Sequence, residues 1–380
     1  MGLSKASLNQ LIQLSDGDKS GPILDLHVVD HAWTGSSLFS AVQDLPSIPW
    51  LSKSRVERHL QIISVLQWVI SFLILGVACT VILIYIFCTD CWLIAALYVS
   101  WLVFDWHTPN KGGRRSTWVR NWAVWRYFRD YFPIRLVKTH NLLPSRNYIF
   151  GYHPHGIMCL GAFCNFGTEA TGVSKKFPGI KPYLATLAGN FRMPVLRDYL
   201  MSGGICPVDR DTIDYILSKN GTGNAVVIVV GGAAESLECR PGKNVVTLKQ
   251  RKGFVRIALQ HGADLVPVYS FGENEAYKQV VFEEGSWGRW VQRKFQKYIG
   301  FAPCVFHGCG FFSAESWGLV PYSNPITTVV GEPITVPKME QPSQKDVDLY
   351  HSMYLTSLEK LFDKYKTKFG LPESEVLEIN

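Results

Sequence analysis

His153-Pro154-His155-Gly156 sets two imidazoles in one short, stiff turn. Histidine is the side chain whose unperturbed pKa lies nearest neutrality, so such a turn is suited to moving protons. Pro154 fixes its own φ and restricts His153, while Gly156 lets a ligand approach the backbone. The run follows an expected strand, Asn147–Tyr152, and opens a small-residue segment, Ile157–Phe163. The plain alternative is a Pro-Gly turn carrying two surface histidines.

Three other segments carry reactive residue types beside glycine or proline. They are Gly203–Arg210, Gly231-Gly232-Ala233-Ala234-Glu235-Ser236, and Val266-Pro267-Val268 with Phe271-Gly272-Glu273. In open α/β sheets, working groups gather at the carboxyl ends of strands. A Gly-Gly turn there frees backbone N–H groups to face a developing oxyanion. No Gly-x-Ser-x-Gly elbow occurs, so a serine acyl-enzyme has no support.

The elements that would position these segments read as an α/β domain over 136–380. Expected strands are Asn147–Tyr152, Ala225–Gly231, Leu265–Ser270 and Thr327–Gly331. The Ala225 run is apolar throughout, as a strand covered on both faces should be. Gly253–His261 reads as a helix, and Asp346–Phe369 as an amphipathic one. No internal repeat is found.

Before this domain, Ile62–Phe87 carries no charge and is long enough to span a bilayer. Cys88-Thr89-Asp90-Cys91 interrupts it, and Trp92–Phe104 is a second apolar run. The expectation is a membrane-embedded helical hairpin over 51–110. Lys53, Arg55 and Arg58 precede it, and Lys111, Arg114, Arg115 and Arg120 follow, which places both flanks on the cytoplasmic side. Phe72, Leu73 and Leu75 are candidates for contact with neutral lipid, although packing explains them equally well. Over 111–135, Trp118, Trp122, Trp125, Phe128 and Phe132 share a helical side flanked by arginines. This predicts an aromatic interfacial helix, with packing on the domain core as the alternative. Residues 1–50 lack apolar periodicity and a signal-peptide pattern, and are expected to be mobile.

Composition agrees with such a chain. The 380 residues include 38 Lys and Arg against 31 Asp and Glu, a formal charge of +7. That suits an anionic partner: a membrane surface, a phosphate or coenzyme A. No nucleic-acid-reading signature is present. Nine cysteines without a framework suggest reduced thiols and a cytosol-facing domain, with Cys88 and Cys91 read as ordinary thiols.

The order of these segments is similar to that of the glycerolipid acyltransferases. Those enzymes place an Asp five positions after the catalytic His, where this chain has Met158 and Leu160. The chain more closely resembles the type 2 diacylglycerol acyltransferase family. Tyr131-Phe132-Pro133, His153-Pro154-His155-Gly156 and the long run Arg251–Glu273 carry the resemblance, which extends over about residues 38–380. One departure is Cys309 in His307-Gly308-Cys309-Gly310, where the family pattern has Arg.

The resemblance implies an α/β, glycerolipid-acyltransferase-like sheet with helices. It also implies an endoplasmic-reticulum membrane enzyme, found at lipid droplets, with both termini cytosolic. Its partners would be acyl-CoA, diacylglycerol, the bilayer and the droplet surface, with homo-oligomerisation left open. The implied reaction makes triacylglycerol by direct attack of a hydroxyl on the thioester, with acyl-CoA as substrate and no cofactor. That attack needs a base. His155 is assigned, with His153 orienting the loop or holding the thioester; the reverse assignment stays open. Glu235 is the candidate to fix the histidine tautomer. Gly156, Gly231 and Gly232 line the expected oxyanion loop. Arg210, Arg251, Lys252, Arg256 and Pro154 are the substrate-binding candidates.

Three rivals stand beside this reading. A metal-dependent hydrolase would need ligands beyond His-x-His, and His261 and His307 lie in no ligand-like cluster. A non-enzymatic lipid-droplet protein needs only the hairpin. Monoacylglycerol or a fatty alcohol could replace diacylglycerol as acceptor. Asn220-Gly221-Thr222 is a glycosylation sequon that stays bare if the domain faces the cytosol.

Overall fold

Alternating and continuous apolar runs build a seven-stranded sheet, and its strands decide where the histidines go. A computed structural model describes residues 53–301, 303–311 and 316–380. The segment over 1–50, expected to be mobile, lies outside them. In chain order the strands are β1 Arg135–Lys138, β2 Tyr148–His153, β3 Lys181–Thr186, β4 Ile205–Pro207, β5 Asn224–Val229, β6 Asp264–Phe271 and β7 Thr327–Val330. Their order across the sheet is β1-β7-β6-β2-β5-β3-β4. All neighbours are parallel except β7 and β6.

β2 lies between β5 and β6 and is buried along its whole length. Alternate residues therefore enter different cores. Tyr148, Phe150 and Tyr152 join one core with Val227, Val266 and the aromatic residues of 125–132. Ile149 joins the other, formed with the helices Arg210–Lys219, Gly253–His261 and Gln344–Tyr365. The mixed α/β fold and the four expected strands are thus present. The edge strands β1 and β4, and β3 beside β4, carry too little pattern to announce themselves.

The apolar segment is one helical rod. Lys53–Ile70 is α-helical, Ser71–Leu75 forms a π-helical turn, and Gly76–Phe87 continues as α-helix. Ser54–Phe87 is long and apolar enough to cross a bilayer. After a turn over Cys88–Cys91, Trp92–Phe104 folds back along Gly76–Phe87. This return arm has 13 residues. At 1.5 Å per residue it rises about 20 Å, short of the roughly 30 Å hydrocarbon core.

The hairpin expected over 51–110 is not separate in its packing from the α/β domain expected over 136–380. Val65, Trp68 and Val69 are buried in the domain core. Trp68 stacks on Phe163, with centroids 3.4 Å apart and planes 11° apart. Phe72, Leu73 and Leu75 are half-buried against that same core. A protein interior accepts such side chains as readily as lipid does. Beyond Gly76 the character changes: Val81 and Ile84 are each 60% exposed.

The single aromatic helix over 111–135 is corrected. Two short helices occupy it, Thr117–Arg120 and Ala123–Tyr131, and the chain breaks between them at Asn121 and Trp122. Trp125, Phe128 and Phe132 are core residues, while Trp118 is 69% exposed. Arg120 is fully buried; it pairs with Glu169 at 2.8 Å and donates to the carbonyls of Phe166, Thr168 and Gly203. A guanidinium with that many internal acceptors serves the domain, not a lipid headgroup.

Candidate active site

The turn after β2 begins with a cis His153–Pro154 bond. His153 is completely buried, and its Nε2 lies 3.0 Å from Tyr354 Oη. Its Nδ1 is buried without a hydrogen-bond partner. Burial pushes its pKa down to about 3. Pro154 is also buried, so it shapes the turn from within.

His155 is half-buried, and its Nδ1 lies 2.9 Å from the Gly156 carbonyl. A carbonyl only accepts, so Nδ1 holds the proton and Nε2 keeps its lone pair. Burial lowers the ring's pKa, and the Gly156 carbonyl opposes that shift. Gly156 has φ +62, in the left-handed region that suits glycine.

Glu235 supports this turn, but not in the way a triad acid does. Its Oε1 accepts the backbone N–H of His155 at 2.5 Å, and its Oε2 accepts that of Thr247 at 2.7 Å. The carboxylate thus holds the histidine's amide and does not set its tautomer. Burial pushes it up to about 7, against the two N–H donors and Arg251. Gly231 is required beside it: a Cβ there would lie 2.0 Å from Glu235 Oε2. Gly232, at φ +57, opens the short helix Gly232–Glu238 that carries Glu235. Thr247 is steadied by a two-strand ladder, in which Val245–Val246 pairs in parallel with Glu378–Ile379. The Asn380 carbonyl accepts the N–H groups of Leu248 and Lys249.

Glu273 is the residue that sequence reasoning quoted but gave no role. It is buried under the segment that follows the histidines. It accepts the Gly161 N–H at 3.1–3.2 Å, the Tyr152 hydroxyl at 2.8 Å and the Ser270 hydroxyl at 3.2 Å. Burial pushes it up to about 7, with these donors opposing. A Cβ at Gly156 would come within 2.9 Å of its Cγ, and one at Gly161 within 2.5 Å of its Oε2. The only signal in the sequence was an acidic residue placed just after a buried strand.

The cations do not converge. Arg210 is exposed and turned to Asp214 and Gln260. Lys252 pairs with Asp348 at 2.8 Å, and Arg256 donates to Pro342 and Gln344. Arg251 is exposed and close enough to pull on Glu235. Among the described residues, no group of three or more His, Cys, Asp or Glu could hold a metal.

Two thiols bear on the site. Cys159 Sγ lies 3.5 Å from His155 Nδ1 and 3.6 Å from its Nε2, within hydrogen-bond reach of both nitrogens. Cys159 has φ +49, and burial holds its thiol well above the usual range. Cys309 ends the strand Val305–Cys309; burial raises its pKa, while Arg58 and Lys278 oppose that.

Residues 84–380 match a family model described as diacylglycerol acyltransferase. The Xenopus tropicalis protein named diacylglycerol O-acyltransferase 2 is 87% identical over 91% of this chain and 96% of its own length. The Homo sapiens protein of that name is 77% identical over 96% of this chain and 94% of its own. Among solved structures, a 1-acyl-sn-glycerophosphate acyltransferase from Thermotoga maritima aligns with 71% of this chain and 95% of its own. Its TM-score is 0.35 and its identity 12%, too remote to carry an argument.

Proposed function

The chain belongs to the diacylglycerol acyltransferase family and is an acyl-CoA:diacylglycerol O-acyltransferase, and from that premise we propose direct acyl transfer with His155 as the base. The observation that carries this is the His155 tautomer. Nδ1–H is committed to the Gly156 carbonyl, so Nε2 keeps its lone pair on a half-buried residue, with the thiol of Cys159 3.6 Å away. Nε2 takes the acceptor hydroxyl's proton as the oxygen attacks the thioester carbonyl carbon. The tetrahedral intermediate collapses, the C–S bond breaks, and the imidazolium returns the proton to the coenzyme A thiolate. The products are triacylglycerol and free coenzyme A.

His153 is a poor base, because a useful base has a pKa near the working pH and burial holds this one at about 3. Backbone N–H groups around Gly156, Gly231 and Gly232 face the oxyanion. Arg251, exposed and within electrostatic reach of Glu235, meets the coenzyme phosphates. The exposed apolar arms Gly76–Phe87 and Trp92–Phe104 anchor the domain to the endoplasmic-reticulum membrane and to droplet surfaces, with both termini cytosolic.

The test uses membranes carrying the full chain, labelled oleoyl-CoA, and diacylglycerol, monoacylglycerol or fatty alcohol in parallel. His155→Ala is expected to lower triacylglycerol formation by ~10²–10⁴-fold at normal abundance. A His155→Ala chain that keeps its rate removes the proposed base.

A further inference from the structure

We propose that Tyr354, on the helix Gln344–Tyr365, is a positioning residue that fixes the tautomer and seat of His153 and, through it, the turn that carries His155. This rests on the reading of His155 as base. Tyr354 Oη lies 3.0 Å from the Gly151 carbonyl and 3.0 Å from His153 Nε2. The carbonyl can only accept, so the one hydroxyl proton goes to Gly151. The contact with His153 must then be an Nε2–H donated to the tyrosine oxygen. His153 Nδ1 is left as a bare lone pair, in keeping with its lack of any donor partner. That tautomer cannot donate from Nδ1, so it excludes holding the thioester oxygen through that atom.

The hydroxyl reaches this point through a gap in the central strand. A Cβ at Gly151 would lie 1.9 Å from Tyr354 Oη, so only glycine lets the phenol touch the backbone there. Tyr354 is fully buried, and its ring meets Phe254 edge-on at 4.9 Å. One face of the same helix also presents Asp348 to Lys252 and His351 to the Leu248 carbonyl, 3.1 Å away. The three residues stand three apart, as a helix face requires. Together they tie the segment behind Arg251 and the end of β2 to one rigid rod.

The test is a double-mutant cycle for triacylglycerol formation by the full chain in membranes. Tyr354→Phe keeps the ring and removes the hydroxyl. It is expected to lower kcat about tenfold, the scale of one lost hydrogen bond, with KM for oleoyl-CoA unchanged. If Tyr354 acts through His153, then Y354F adds nothing once His153→Ala is present. His153→Gln, whose amide can still donate to Tyr354 Oη, should keep more activity than His153→Ala. That advantage should vanish in the Y354F background. Losses that multiply in the cycle overturn the positioning role. If Y354F fails to accumulate, His153→Gln against His153→Ala decides alone, and equal losses overturn it. His155→Ala runs beside them: activity in that variant sinks the base assignment itself, whereas an inactive H155A with multiplying losses sinks only the role of Tyr354.

Discussion

Glu235→Gln isolates what the buried carboxylate does for the turn. In the parent, each oxygen serves one backbone amide, His155 at 2.5 Å and Thr247 at 2.7 Å. A glutamine in the same rotamer offers one oxygen and one NH2, so it meets one of the two amides with a donor. Losing a hydrogen bond to a charged acceptor costs about 1.5–3 kcal/mol. Spent in the transition state, that is about ten- to a hundredfold in kcat. The substitution also removes a titration. Glu235 is held at about 7, so the ionised form that can serve both amides is lost as pH falls through that value. His155, lowered from its ordinary 6.5, stays a neutral base over the same window. The parent's rate should therefore fall on the acid side of about 7, and the glutamine variant should lack that limb. The assay is the initial rate of triacylglycerol formation in membranes, normalised to chain abundance, across that pH range. A variant with the parent's rate and the parent's acid limb would refute the argument that Glu235 holds the turn.

Cys159→Gly should retain activity, because burial holds the thiol well above its usual range and so keeps it from acting as a thiolate nucleophile; loss of transfer with normal abundance would instead implicate an acyl-cysteine. The same change relieves a left-handed residue, worth ~1–2 kcal/mol, against a glycine penalty of roughly 0.5–1 kcal/mol, so thermal stability should hold or rise slightly. Glu273, pushed from 4.5 to about 7, binds its proton more tightly folded than unfolded. Its contribution to stability is full below about 4.5 and is lost as pH rises through about 7, by on the order of 3 kcal/mol. Unfolding of the detergent-solubilised enzyme should show that slope, and Glu273→Gln should flatten it; an unchanged slope would assign it to other groups.

The motif turn and the central strands were readable because burial on both faces writes an unbroken apolar run, and because proline and glycine restrict a backbone in known ways. The supports of the turn were not readable. Glu235 was found as a residue and misread in its bond, since nothing in Gly231-Gly232-Ala233-Ala234-Glu235 says whether a carboxylate meets a ring or an amide. Tyr354 escaped because its partner lies 201 positions away and its hydroxyl is indistinguishable in sequence from any buried phenol's. The aromatic segment failed for a related reason. Trp125 and Phe128 suit a headgroup layer and a core alike, and the fully buried Arg120 beside them shows which was realised.

The ladder of Val245–Val246 with Glu378–Ile379 sets an order on biogenesis. Ribosomes add about 5–20 residues per second, and Ile379 is made 133 positions after Val246, so that partner arrives roughly 7–27 s later. Tyr354 likewise follows His153 by 201 positions. The apolar rod emerges before the histidines, and the pieces that hold them come after. A nascent chain can therefore engage its surroundings before the strand that steadies Thr247 and the phenol that seats His153 have been made.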